Sequence, residues 1–466
     1  MSKPLETARA VDAAPDIAPG RLAPTEYHSN FGDIETPLGR AEALVDASRC
    51  YFCYDAPCIE ACPTGIDIPG FIRKITTGNV KGAAVTILEQ NIFGGACARV
   101  CPTEILCERA CVRMTGEGKP VNIGALQRYA TDHFFELGVE PFQRAPATGR
   151  RIAIVGGGPA GLACAHRLAL LGHETTVFEA REKLGGLNEY GIAAYKLPHD
   201  FAQAEVNFIL GLGGIEARTG RALGRDITLS ALRQEFDAVF LAMGFAGVNA
   251  LAAEGEDLAG VEDAVAYIAR LRQTSDKSTL PIGRRVVVIG GGNTAIDIAV
   301  QSKRLGAEDV TIVYRRGPAH MSATDHEQSF AQVNGVRIKH WARPLRLLTQ
   351  SRHVSAVEFE YTRLEGAGLA GTGERFTLSA DMVFKAIGQL MLPDPLHEDG
   401  RLLLEMKHGR IRVDAEHATS LPGVYAGGDC VDSGHDLTVQ AVEDGKRAGE
   451  AINRYLAGNG VGGSHG

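Results

Sequence analysis

The 466-residue sequence contains no uninterrupted apolar run of the roughly 18 residues that a membrane-spanning helix needs. It also lacks positive charge in excess: 48 Lys and Arg stand against 56 Asp and Glu, a formal net charge of −8. That balance argues against nucleic acid or an anionic membrane as the main partner. The opening stretch, "MSKPLETARAVDAAPDIAPG", has no apolar core and no cleavage-site pattern, so it does not read as a signal peptide. The cytoplasm is the expected location, where structural disulfides are rare and clustered cysteines bind metal or do redox work. Beyond residue 111 cysteine itself is scarce, with only Cys164 and Cys430. Both are expected to be structural. No serine-nucleophile pattern and no zinc-protease helix is found.

What is there is an ordinary globular composition, 45% hydrophobic and 22% charged, at a length that suits two to four domains. Eight of the ten cysteines lie between Cys50 and Cys111. Cys50, Cys53, Cys58 and Cys62 follow C-x2-C-x4-C-x3-C-P; Cys97, Cys101, Cys107 and Cys111 form a second group, with Pro102 after Cys101. The stretch between them, "IPGFIRKITTGNVKGAAVTILEQNIF", has apolar spacing suited to helices. A disulfide scaffold conflicts with a reducing compartment. A structural zinc site takes four ligands, usually in two short pairs, and fits the gaps poorly. Iron–sulfur clusters fit best, since thiolates stabilise iron and a cysteine–proline run is ferredoxin-like. Two [4Fe–4S] clusters need eight ligands.

Next comes "RRIAIVGGGPAGLACAHRLALLGHETTVFEA", which reads as strand, glycine turn, helix, strand. Gly156, Gly158 and Gly161 make a G-x-G-x-x-G fingerprint, with Pro159 and Ala160 inside it. Glycines there let backbone approach a pyrophosphate, which the start of the helix favours. Glu179, 18 residues after Gly161, stands where a carboxylate holds a ribose hydroxyl. A second copy, "RRVVVIGGGNTAIDIAVQSKRLGAEDVTIVYRR", places Gly290, Gly291, Gly292, Asn293 and Thr294 at the turn and Ala295 at the third fingerprint position. Its next strand ends in Arg315 and Arg316, a pair suited to a 2′-phosphate, rather than in an acid. NADH and NADPH both remain open. In "LPGVYAGGDCVDSGHDLTVQ", Gly428 and Asp429 close a strand and a helix is expected from about Thr438. An aspartate there reaches a ribityl chain, and the helix start offers partial positive charge to a reduced flavin.

These features predict an α/β protein: a helical iron–sulfur domain followed by two interleaved Rossmann-like domains for FAD and NAD(P). The expected division is a disordered arm (1–25), the iron–sulfur domain (26–145), a first FAD segment (148–252), the NAD(P) domain (253–392), a second FAD segment (393–457) and a disordered tail (458–466). Nicotinamide gives up two electrons together as a hydride, a cluster accepts one at a time, and flavin does both. The segments consume nearly the whole chain and leave no room for a substrate domain. Electrons are therefore expected to leave for another polypeptide, and no catalytic side chain is nominated.

Over residues 26–457 the sequence resembles the electron-input half of dihydropyrimidine dehydrogenase and, more distantly, the small subunit of NADPH-dependent glutamate synthase. The resemblance rests on "CYFCYDAPCIEACPTGIDIPGFI", "CPTEILCERAC", "VNIGALQRYA", "GGGPAGLACA", "GGLNEYGIAAYKLP", "GGGNTAIDIA", "YRRGPAHM" and "YAGGDC". It implies that Cys50, Cys53, Cys58 and Gln127 hold one cluster and Cys62, Cys101, Cys107 and Cys111 the other, leaving Cys97 unligated. It also implies that Gly186, Leu187 and Lys196 contact FAD, and that Ala386 to Gly388 lie near the nicotinamide. The implied partner is a subunit carrying FMN and iron–sulfur clusters that reduces uracil and thymine, in a hetero-oligomer. A glutamate synthase small subunit, a self-contained diaphorase or ferredoxin reductase, and a zinc-bearing nucleotide scaffold are the alternatives.

Overall fold

A computed structural model of the chain describes residues 16–366, 368–432 and 436–459. The chain forms two compact units, Met1–Gly32 with Val248–Gly388, and Asp33–Gly247 with Gln389–Gly466. Most of the expected arm (1–15) and residues 460–466 of the expected tail lie outside the described residues. The rest of the arm differs from expectation. Strand β1 (Ile17–Ala18) pairs antiparallel with Gly283 and Ile282. Arg21 Nε adds a bond to the Ile282 carbonyl at 3.0 Å.

Helices α1 (Arg40–Ala47), α2 (Ile68–Thr76), α3 (Val80–Gln90), α4 (Gly94–Val100) and α5 (Ile123–Leu137) build the cysteine-rich domain. Local chemistry sets the starts of two of them. Asp67 accepts from Gly70 N and Asn79 from Gly82 N, each at 2.9 Å, satisfying backbone donors that a helix start leaves free. Phe71, Ile72, Ile75, Ile87, Leu126 and Phe134 form the core between them. The gap between cysteine groups is thus filled by packed helices.

The same unit continues into a parallel sheet of β2 (Arg151–Val155), β3 (Glu174–Glu179), β4 (Ile215–Thr219) and β5 (Ala238–Leu241). Helix α6 (Pro159–Leu170) crosses from β2 to β3, and α7 (Phe201–Gly211) lies between β3 and β4. Strand β2 sits between two neighbours, and Ile152 to Val155 are buried, as a central parallel strand requires.

The chain then enters the other unit, a second parallel sheet of β6 (Val261–Asp263), β8 (Arg285–Gly290), β9 (Asp309–Val313), β10 (Arg337–Lys339) and β14 (Met382–Ala386), ordered β10-β9-β8-β14-β6. The partner of β1 is β7 (Ile282–Gly283), and α8 (Asn293–Arg304) connects β8 to β9. Strands β11 (Ala342–Gln350), β12 (His353–Glu365) and β13 (Gly368–Ser379) form an antiparallel meander. Last, β15 (Val424–Ala426) returns to pair with β5, giving the first sheet the order β15-β5-β2-β3-β4, and α9 (Thr438–Asn459) closes the chain. This helix runs through the first two residues of the expected tail.

Candidate functional site

The two cysteine groups fold into neighbouring clusters of thiols. All ten cysteines are free. Cys50, Cys53 and Cys58 line one pocket together with Cys111, walled by Ile68, Ile72 and Val121. Burial pushes the Cys50 thiol up, and the Cys111 and Cys53 sulfurs push it further. Cys58 is pushed up to about 12 by burial, then by Cys111 and Cys50. In the second group the Cys101 thiol is raised first by its hydrogen bond with Cys97, then by burial, then by Cys107 and Cys62. Cys107 is raised by burial, then by Glu108, Cys62 and Cys58.

Sulfurs this buried resist ionising, because burial and their neighbours' charges outweigh the one guanidinium at the first pocket, Arg113. Iron supplies compensating positive charge. Among the described residues no three His, Cys, Asp or Glu groups converge as ligands of a single metal ion. Cys50, Cys53, Cys58 and Cys111 line one pocket, an arrangement suited to a multi-iron cluster. The donor set fits iron–sulfur chemistry.

The placement of two of these residues differs from the partition that the resemblance implies. Cys111, expected with the second group, completes the first pocket. The cause lies in the residues that follow it: Arg113 hydrogen-bonds the Arg49 carbonyl and stacks 4.0 Å over the Tyr51 ring, pinning Cys111 against Cys50. Gln127, expected in the first pocket, does not line it. It is buried on α5, and its Nε2 donates to the Gly94 carbonyl at 2.7 Å, which turns it toward α4, the helix that leads to Cys101. Cys97 is buried on α4 beside Cys101.

In the same unit the first glycine turn is built for close approach. Gly156 has φ +107°, and a Cβ there would lie 2.2 Å from the Ala242 carbonyl oxygen, so no side chain fits. Glu179 reaches back from the end of β3, accepting from Gly157 N and Arg181 N at 2.8 Å each. Gly158 caps α6 with Pro159 at its first position, followed by Ala160 and Gly161. Gly186 packs against Gly158 and Pro159, and Leu187 starts a short helix there. From the C-terminal segment, Gly428 comes against the Ala160 side chain and donates its N–H to Asp444 at 2.9 Å.

Asp429 beside it is pushed up to about 6 by burial and by Asp436, with Arg410 opposing. The Thr438 hydroxyl donates to Asn188 Oδ1 at 3.0 Å. Lys196 is half-buried, its N–H bonded to the Ala193 carbonyl. Most of the residues expected around FAD therefore gather at one turn. Cys164 and Cys430 are fully buried in the packing around it.

The second turn, in the other unit, repeats the plan. Gly290 has φ +147°, and a Cβ would meet the Ala386 carbonyl oxygen at 2.0 Å, which puts Ala386 beside the turn. Gly291 lies under the Tyr314 ring, Gly292 caps α8, and Asn293 and Thr294 open it. Gly388 follows β14 with φ +97°. The backbone of the arginine pair is fixed: Thr362 Oγ1 donates to the Arg315 carbonyl at 2.7 Å and Trp341 N to that of Arg316 at 3.1 Å. Arg315 is exposed and Arg316 half-buried, and the ion pairs among the described residues involve neither guanidinium.

Two residues that no motif announces join the cysteine helices to the flavin-type sheet. Lys446 on α9 donates to the Thr64 and Gln90 carbonyls at 3.0 and 3.2 Å. Glu205 on α7 is wholly buried and accepts from Gly95 N and Ala96 N. The one signal in the sequence is an acid within the otherwise apolar face of "FAQAEVNFIL".

Known proteins share this layout. Residues 27–139 match the family described as dihydropyrimidine dehydrogenase domain II, 4Fe-4S cluster, and residues 150–445 the pyridine nucleotide-disulphide oxidoreductase family. The chain is 36% identical over 431 residues to the NAD-dependent dihydropyrimidine dehydrogenase subunit PreT of Escherichia coli strain K12, covering 92% of this chain and 98% of that one. Against the glutamate synthase (NADPH) small chain of the same strain it is 34% identical over 448 residues, covering 91% and 94%. Among solved structures, FprA from Mycobacterium tuberculosis aligns with a TM-score of 0.55 at 20% identity, over 68% of this chain and 86% of that one. Thioredoxin reductase of T. acidophilum aligns at 0.52 and 21%, over 66% and 99%. These two show the fold alone.

Proposed function

Because the chain belongs to the dihydropyrimidine dehydrogenase subunit family of iron–sulfur pyridine-nucleotide oxidoreductases, we propose that it is the electron-input subunit of a hetero-oligomer. It takes hydride from NAD(P)H and delivers electrons to a partner carrying FMN and iron–sulfur clusters, which reduces uracil or thymine to the 5,6-dihydro form. When bound, FAD supplies the conversion of a two-electron hydride into single electrons. The residues of the first turn, Gly156 to Gly161, together with Glu179, Gly186, Leu187, Lys196, Gly428, Asp429 and Thr438, would hold it. Gly290 to Thr294, Arg315, Arg316, Ala386 and Gly388 would bind and orient the nicotinamide nucleotide.

Cys50, Cys53, Cys58 and Cys111 would ligate one [4Fe–4S] cluster, and Cys62, Cys101, Cys107 and Gln127 the other, with Cys97 unligated. The observation that carries the reading is the four-thiol pocket folded into the same compact unit as the first glycine turn. Its test is reconstitution: the loaded chain, co-expressed with a candidate FMN subunit, should support NAD(P)H-dependent uracil reduction. A fully loaded complex without that activity would refute it.

The glutamate synthase small chain is a second reading, favoured by the 34% identity over nearly the same span. It predicts capture of a glutamine amidotransferase chain instead. Artificial dyes would be reduced under either reading and do not discriminate between them.

A further inference from the structure

We propose that Glu205 is a positioning residue for the iron–sulfur site at Cys62, Cys101 and Cys107, holding the proton that accompanies reduction of that site. The inference rests on the iron–sulfur reading above. Glu205 reaches from α7 to the start of α4, where its Oε1 accepts from Gly95 N at 3.0 Å and Ala96 N at 2.9 Å. Its Oε2 is buried and has no hydrogen-bond partner among the described residues. From that anchorage α4 runs on to Cys101, which follows it directly. Gln127 grips the carbonyl of Gly94, one residue before the two amides that Glu205 holds.

The carboxyl is thus tied through backbone hydrogen bonds to the helix that leads to a cysteine of this site. A Cβ on Gly95 would lie 2.5 Å from the Phe201 ring and 3.0 Å from Glu205 Oε1, so the contact needs the bare backbone of that glycine.

The charged groups that bear on Glu205 are few. Arg99 of α4 is occupied elsewhere: it donates to the Gly95 carbonyl, pairs with Asp132 of α5 and lies 3.8 Å over the Phe201 ring. Asp132 is shared with Arg128 of the same helix. The Cys97 and Cys101 thiols stand further along α4, and the aromatic rings of Phe135 and Phe208 fill the α5–α7 contact. Burial pushes the carboxyl up to about 8, with the two amides and Arg99 opposing.

Adding one electron to the site places a negative charge at the C-terminal end of α4, and its repulsion raises the proton affinity of the buried carboxylate held at the other end. The step balances simply. The oxidised site with Glu205 carboxylate takes one electron, which NAD(P)H supplies, and one proton from solvent. It becomes the reduced site with Glu205 carboxylic acid. Departure of the electron releases the proton. Coupling acts between the pKa of the carboxyl in the oxidised protein, which burial raises, and its higher value in the reduced protein.

The test is an EPR-monitored potentiometric titration of the reconstituted full chain from pH 7 to 10. In the native chain one midpoint should fall as pH rises through the upper part of that range, approaching a tenfold change per pH unit, about 59 mV. Glu205→Gln keeps an oxygen for the two amides and removes the proton, so that midpoint should become flat. The other cluster's midpoint serves as the internal control. Native midpoints that ignore pH, or a variant that keeps the native slope, would overturn the proposal.

If the variant fails to assemble, the native chain still decides. Its reduced-minus-oxidised infrared spectrum at pH 9 should gain a deuterium-sensitive protonated-carboxyl band, and no such band means no such proton. Absence of iron in anaerobically prepared protein would instead defeat the iron–sulfur reading itself, and iron analysis separates the two failures.

Discussion

The two glycine turns are built alike and finished differently. Each follows a buried central strand, each forces its first glycine to positive φ against a backbone carbonyl, and each opens a helix of 12 residues. At the end of the next strand they part. The first turn is closed by Glu179, already bound to Gly157 N. The second is flanked by Arg315 and Arg316, whose backbone is held while their charges remain unpaired among the described ion pairs. The shared part is dictated by backbone sterics, which serve any dinucleotide. The divergent part is side-chain charge, the kind of difference that can tell one dinucleotide from another. A fold duplicated within one chain can therefore take two cofactors by changing a few residues at a strand end.

The largest effect should come from breaking the shared part on one side only. Gly156→Val drives a side chain into the Ala242 carbonyl, and the purified protein should carry no flavin absorbance. Gly290→Val makes the same clash with Ala386, yet should leave the flavin in place while NAD(P)H-driven dye reduction falls on the order of 100-fold or more. Loss of flavin in both variants would erase the distinction between the turns.

Next in size is the arginine pair. A charge-assisted hydrogen bond to phosphate contributes about 1.5–3 kcal/mol, so replacing Arg315 and Arg316 with Ala should raise KM for NADPH roughly 10- to 100-fold. KM for NADH should stay within about twofold, because NADH has no 2′-phosphate to lose. Equal effects on both nucleotides would show that the pair is only a solvated surface.

Glu179→Gln is milder, since an amide oxygen can still accept from Gly157 N. Flavin affinity should fall about tenfold, near the 1–2 kcal/mol typical of a weakened hydrogen bond to a charged group, as read by flavin titration of the apo-protein.

The smallest effect is a pH slope. Burial raises Asp429 to about 6, so the folded apo-protein holds a proton that the unfolded chain has released. Stability should therefore fall as pH rises from about 4 to about 6, and Asp429→Asn should flatten that part of the profile in urea titrations.

Much of this was legible in the residues, because the chemistry is local. A glycine that must sit at positive φ before a helix leaves a spacing in the sequence, and so does a cysteine–proline run. The strand after each turn could be placed from its apolar run, and the two interleaved nucleotide folds followed. Which cysteine completes the first pocket was not legible. Cys111 joins Cys50, Cys53 and Cys58 because Arg113 folds onto Arg49 and Tyr51, a contact across more than 60 residues that no spacing records. Glu205 and Lys446 escaped for the same reason. Each looks like an ordinary helix residue until the cysteine-rich domain supplies its partners.

Of the expected disordered arm (1–25), the described residues 16–25 include a paired strand. Nothing in the residues of the arm announces the edge of β7, which Ile17 and Ala18 pair with.

The seam between α5 and α7 has a practical consequence. Phe134 meets Phe208 edge-on at 5.6 Å, Phe135 meets Phe201 at 5.3 Å, and Lys446 bonds two carbonyls on the far side. The cysteine helices pack directly on α7 through these rings. Cutting the gene near residue 145 would leave four aromatic rings facing water on the fragments. A chimaera carrying a foreign cluster module would have to import its own matching rings before a single electron could cross the graft.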